Sequence, residues 1–84
     1  MTINIIRNRL AFLQPTKLDI VDESSLHQGH KGNNGGGHFN LTITSEIFKN
    51  KTTMERHRMV YSALQDLIPK TIHALSIKAS APLE

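Results

Sequence analysis

The chain has no cysteine and no tryptophan, only one tyrosine and three phenylalanines, and three prolines. Without cysteine there is no disulfide, no zinc ribbon and no thiol nucleophile, which leaves His, Asp and Glu as the strong metal ligands. No apolar run approaches the ~20 residues that a membrane-spanning helix needs, so no membrane partner is expected. Charge is modest too: 10 Lys+Arg against 7 Asp+Glu give a net +3, which permits contact with anions without requiring it. In the opening stretch MTINIIRNRLAFLQP, Arg7 and Arg9 stand inside the apolar pattern rather than before it. That is poor as a secretory signal and reads better as a first helix.

What remains is 84 residues at 38% hydrophobic content, expected to fold as a single domain over residues 1–84. A chain of this size buries somewhat over ~60% of its unfolded surface and has little stability to spare. Ile3, Ile6, Leu10 and Leu13 recur at steps of three and four, one stripe of a helix that Pro15 closes. In KLDIVDES, Leu18 and Ile20 alternate with Lys17, Asp19 and Val21, as in a short strand. HFNLTIT alternates cleanly, with Phe39, Leu41 and Ile43 on one side. SEIFKNK is irregular and holds at most a short helical turn. Thr52 and Glu55 form a capping box for a helix whose broad face carries Met59, Val60, Ala63, Leu64, Leu67 and Ile68 before Pro69 stops it. IHALSIKA alternates again, with Leu75, Ile77 and Ala79 together, and the tail after Pro82 reads as loose.

The fold class is therefore α+β, in the order α-β-β-(short α)-α-β, with the helices on one face of a three-stranded mixed sheet. Leu18, Ile20, Phe39, Leu41, Ile43, Leu64, Leu75 and Ile77 are expected beneath them. The first two strands should pair antiparallel, and the strand-helix-strand crossover should make the second and third parallel. That topology brings His73, at the start of the third strand, to the end of the sheet where the loop between the first two strands joins it.

That loop, from Ser24 to Gly37, runs 14 residues and contains HQGHKGNNGGGH. Loops past ~12 residues without structure of their own tend to be functional or disordered. A tolerated insertion and a functional loop both fit. His27 and His30 could join His38 or His73 around zinc, although no tight ligand spacing is present. Taken alone, His73 reads more readily as a strand-start residue sharing the parity of Leu75 and half covered by the helices. His57, in ERHR, reads as part of a solvated basic face. The glycines lack the GK[ST] of a P-loop and enter a strand rather than a helix. Asp22, Glu23, Ser24 and Ser25 lie near His27, but a catalytic triad needs a rigid supporting shell, and a glycine-rich loop offers the opposite. No enzymatic activity is expected.

VDES (21–24), HF (38–39), RHRMVY (56–61) and HAL (73–75), in this order and spacing, resemble the BolA family, in its histidine-loop subtype, over nearly the whole chain. The resemblance implies an α-β-β-α-α-β fold similar to the type II KH fold. It also implies a non-catalytic partner of monothiol glutaredoxins that shares a [2Fe-2S] cluster across the interface, with glutathione supplying one thiolate, in cluster trafficking or iron sensing. No cofactor is implied for the free protein, which is expected to be a cytoplasmic monomer. The family's C-terminal histidine ligand falls on His73. Its loop ligand falls on His27 when counted from VDES, with His30 as the alternative, because this loop carries an extra histidine and an unusually glycine-rich end. His38 takes a structural or supporting role. The docking surface would lie around Arg56–Arg58 and 72–78.

The resemblance also carries an alternative, a DNA-binding transcriptional regulator. SEIFKNKTTMERHRMVYSALQDL has the look of a helix-turn-helix, and Lys49, Lys51, Arg56 and Arg58, with His57 among them, would then face phosphate.

Overall fold

The computed structural model describes residues 2–24 and 37–84. Helix α1 spans Thr2–Leu10 and tightens into a 3-10 turn over Ala11–Leu13. Gln14 then takes the left-handed conformation, φ 49°, and ends the helix just before Pro15. Strand β1 spans Lys17–Asp22 and β2 spans Gly37–Thr44. A single 3-10 turn, Glu46–Phe48, precedes helix α2 at Thr53–Leu64, which is extended by a 3-10 turn over Gln65–Leu67. Strand β3 spans Ile72–Ser80. The sheet order is β1-β2-β3, with β1 and β2 antiparallel and β2 and β3 parallel, as the sequence pattern predicts.

Ile6, Leu10 and Leu13 from the first helical stretch, Val60 and Leu64 from α2, and Phe39, Leu41 and Ile43 from the central strand make the core. Leu18 and Ile20 on β1 and Leu75 and Ile77 on β3 pack against it only half-buried. The expectation of full burial fails there because these residues lie on edge strands, where the helices cover one flank only. Phe48 and Ile72 are wholly buried, although neither belongs to a regular apolar pattern.

The capping box forms. The Glu55 N–H donates to Thr52 Oγ1 at 3.1 Å and the Thr52 N–H donates to Glu55 Oε1 at 2.8 Å. The Thr52 N–H, donating to the carboxylate, favours its charged form and, with the Thr52 side chain, holds Glu55 below its usual range. Arg9 clamps the two helices, with bonds of 2.5 and 2.7 Å to the two oxygens of Asp66 and one of 3.1 Å to the Ala63 carbonyl. The free flanks of the outer strands are partly capped as well. Arg7 donates to the Leu18 carbonyl and Tyr61 to the Leu75 carbonyl, and such cover blunts edge-to-edge pairing.

Two expectations are overturned at the far end of the sheet. Arg56, read as part of a phosphate- or partner-facing surface, is only 9% exposed. Its guanidinium grips both oxygens of Glu84 at 2.6 and 2.7 Å and the carbonyls of Lys51 and Ala79 at 3.0 and 3.4 Å. The tail after Pro82 is consequently not loose. Glu84 also accepts the Ala81 N–H at 2.9 Å, and Ala81 is buried. The physical reason is desolvation: a guanidinium this far from water is tolerable only with charge-assisted bonds, and a bidentate carboxylate supplies them. The Arg56 pairing pulls the Glu84 carboxyl down to about 2.

A candidate metal-ligating edge at the start of the third strand

The site begins with Gly37, whose N–H donates to the Thr71 carbonyl at 3.0 Å. The Phe39 ring lies where a side chain at Gly37 would project, so a Cβ there would overlap the ring. Gly37 pairs with Ile72, yet His38 pairs with Ala74. His73 is thus an extra residue in β3, a β-bulge. Bulges break the alternation of faces and re-aim a side chain. Ile72 is buried and Leu75 half-buried, while His73 and Ala74 between them are both exposed. The half-covered position inferred for His73 from the parity of Leu75 is therefore incorrect, because the bulge shifts the phase of the strand. Ile72, His73 and Ala74, all out of step with the alternation from Leu75 onward, were its signal in the sequence.

His38 stands on the face of β2 opposite Phe39. Its ring centroid is 5.1 Å from that of His73, with the planes tilted by 42°. Its backbone is held by the end of β1. The His38 N–H donates to Ser24 Oγ at 3.1 Å, and the His38 carbonyl accepts the Glu23 N–H at 2.7 Å. Ser24 in turn donates its hydroxyl and its N–H to Asp22 Oδ1, at 2.5 and 2.9 Å. These two bonds hold the Asp22 carboxyl below its ordinary range. The VDES segment is thus a clip that closes the β1–β2 ladder beside the histidines. Sequence reasoning gave Asp22 and Ser24 no such part, and nothing local to that segment announces it. A shallow depression beside the pair is lined by Glu23, His38, Asn40, Ala74 and Ser76.

Of the residues singled out in the sequence, the fold brings together His38 and His73. His27 and His30, the loop candidates, lie outside the described residues. Among the described residues no group of three or more His, Asp or Glu is arranged to hold a metal ion, so the described edge offers imidazole from His73 with His38 as its neighbour. The basic residues lie elsewhere. Arg58 is exposed, His57 and Lys51 are half-buried, and Lys49 is paired with Glu46 at 2.9 Å. The segment ahead of α2 is a three-residue 3-10 turn rather than a first helix, so the helix-turn-helix look of 45–67 does not correspond to two packed helices. No helix among the described residues is long and apolar enough to cross a membrane.

The topology, a mixed sheet of three strands with two helices on one face and an exposed histidine at the bulged start of the last strand, defines a small α+β domain of the type II KH-like class. More narrowly, the chain belongs to the BolA family: the family model described as "BolA-like protein" matches residues 10–84. The chain is 42% identical over 78 residues to "SufE-like protein 1, chloroplastic/mitochondrial" of Arabidopsis thaliana, covering 86% of this chain and 21% of that protein. It thus spans about a fifth of that relative's length. It is 36% identical over 78 residues to "DNA-binding transcriptional regulator BolA" of Escherichia coli K12, covering 87% of this chain and 72% of that protein. Among solved structures it resembles BolA1 from Arabidopsis thaliana, with a TM-score of 0.82 and 34% identity over 96% of this chain and 92% of that one.

Proposed function

We propose that this protein is a non-catalytic partner of a monothiol glutaredoxin, and that in the mixed complex with glutathione it contributes histidine ligands to a shared [2Fe-2S] cluster. Its role is then cluster trafficking or iron sensing. The observation that carries the reading is His73, an exposed imidazole on a strand bulge, in a chain without a single thiolate. Such clusters are held mostly by cysteine, so a cysteine-free chain can be only part of a ligand set. His73 would be the strand-anchored ligand, and His27, with His30 as its alternative, the loop ligand. A cluster held partly by imidazole has a raised reduction potential and can lose its histidine ligands to protons at mild acidity. The relative named SufE-like supports the iron-sulfur setting. The free protein is then a cofactor-free monomer. The cytoplasm is the expected compartment, although the plant relative's name shows that such domains are also found in organelles.

The test is anaerobic mixing with a monothiol glutaredoxin and glutathione, read by visible absorption, circular dichroism and lability to a chelator. His73→Ala should abolish the histidine-ligated spectrum. His27→Ala should weaken it less, since His30 can substitute, and the double change at His27 and His30 should match the His73 loss. An unaltered cluster in the His73→Ala complex would sink the assignment.

The name of the Escherichia coli relative favours a second reading, DNA binding. Of the four cations named for that surface, Arg56 is buried and Lys49 ion-paired, which leaves Arg58 and Lys51, beside His57. A steep salt dependence without sequence preference would mark phosphate contact alone. Binding that survives at physiological salt and falls with Arg58→Ala would favour this reading over the first.

A further inference from the structure

We infer that His38 is a positioning residue for His73: its ring sets the direction in which the His73 imidazole is presented. The inference deepens the proposed function and rests on it for its consequence, but not for its geometry. His73 occupies the bulge of β3, and its side chain is exposed. The backbone around it is fixed, by the Gly37 N–H on the Thr71 carbonyl on one side and by the β2–β3 ladder from Ala74 onward on the other. An exposed side chain on a fixed backbone can still exchange rotamers on the picosecond-to-nanosecond scale, and a ligand that wanders among them loses affinity. The ring set against His73 is that of His38, at 5.1 Å and 42°, inside the range of about 4.5–7 Å at which tilted aromatic rings attract.

His38 is suited to act as the fixed member of the pair. It is half-buried rather than exposed, and both its backbone polar groups are engaged, the N–H by Ser24 and the carbonyl by Glu23. Ser24 is itself held by Asp22. A continuous chain of contacts therefore runs from Asp22 through Ser24 and His38 to His73, joining two segments far apart in sequence. The bulge and this chain are complementary. The bulge sends His73 out to the open face, and His38 limits where on that face it points.

The test uses the full chain in two arms. In the free protein, NMR couplings and NOEs across the Cα–Cβ bond of His73 report its rotamer distribution. His38→Ala should convert one dominant rotamer into an average, and His38→Phe, which keeps a ring, should restore it. In the mixed complex with a monothiol glutaredoxin and glutathione, His38→Ala should speed cluster release to a chelator by about 10-fold, the lower end of what supporting residues cost a metal site, while His38→Phe stays near the parent. A dominant His73 rotamer that survives His38→Ala would overturn the inference. So would His38→Phe behaving like His38→Ala, since then the ring is not what matters. Averaging in the free protein with unchanged cluster release, in a complex that His73→Ala does abolish, would overturn it as well and leave the ligand reading standing. A complex indifferent to His73→Ala would end the ligand reading instead, and the free-protein arm alone would then uphold or overturn the positioning. A parent-like fluorescence and far-UV signal for the His38→Phe variant guards against simple misfolding.

Discussion

The two ends of the central strand are built on opposite terms. At the Thr44 end the polar groups of the buried Ser45 are tied inward. The Ser45 N–H donates to the Ser80 carbonyl at 3.0 Å, its hydroxyl donates to the Leu13 carbonyl at 2.5 Å, and the same oxygen accepts the Ile47 N–H at 3.1 Å. The buried Arg56 closes the tail down through Glu84. At the Gly37 end the ladder is broken by the bulge, and the His73 imidazole is turned outward beside the half-buried His38. One end joins first helix, sheet and tail. The other gives up regularity to present a side chain. In a domain with little stability to spare, this division lets the presenting end carry an irregularity that the tied end compensates.

Changes at the tied end and in the core should therefore cost stability, and the largest cost is expected from Phe48→Ala. Phe48 is completely buried on the 3-10 turn between β2 and α2. Truncating a buried phenylalanine costs roughly 3–5 kcal/mol, measurable as a lower urea midpoint at unchanged slope. Leu41→Ala, at the middle of β2, should cost about 2–5 kcal/mol. A Phe48 variant as stable as the parent would mean that this turn is not part of the core, and the contrast between the two ends would lose its footing.

Ser45→Ala comes next. It leaves the Leu13 carbonyl without its donor in a buried setting, a loss of about 1–3 kcal/mol by the usual penalty for stranding a buried polar group. The double change of Ser45→Ala with His73→Ala should add without coupling, because the two residues sit at opposite ends of the sheet.

The clasp of Arg56 on Glu84 is best read by pH. The folded carboxyl titrates at about 2 against an ordinary 4.5. A lowered folded value means that the contribution is complete above the unfolded pKa and is lost as the pH falls from there towards the folded value. Stability should thus decline between about pH 4.5 and 2 more steeply in the parent than in Glu84→Gln, which has no such carboxylate to protonate. Parallel acid profiles for the two proteins would show that the pair contributes nothing.

The sequence disclosed the tied half of the molecule unevenly and the presenting half less well, for identifiable reasons. The alternation of Phe39, Leu41 and Ile43 and the stripe of Ile6, Leu10 and Leu13 are local periodicities, and they gave strands, helices and topology directly. Arg56 looked like one more cation in ERHR because its partner lies 28 residues away, beyond the reach of any pattern. The bulge was hidden because LSIKA alternates cleanly from Leu75 onward, and only the short run of Ile72, His73 and Ala74 is out of phase. His73 stands exposed on the bulge with His38 as its neighbour, while the loop histidines expected beside it lie outside the described residues.

The smallest effect on stability is expected at the residue with the largest proposed consequence. His73 is exposed, and the backbone that carries it is held by its neighbours rather than by its own ring. Exposed substitutions away from caps, cores and buried charges usually stay within about 0.5 kcal/mol. His73→Ala should accordingly unfold in urea almost where the parent does, while the histidine-ligated cluster of the mixed complex is lost. Phe48→Ala should do the reverse when assayed at a temperature where it remains folded: much lower stability, with the cluster's spectrum retained. That crossed pattern separates the two ends of β2 by experiment. If His73→Ala instead destabilised the protein by more than about 1 kcal/mol, well outside the range for an exposed site, the bulge would have a structural role of its own. The comparison that assigns presentation to one end and cohesion to the other would then have to be redrawn.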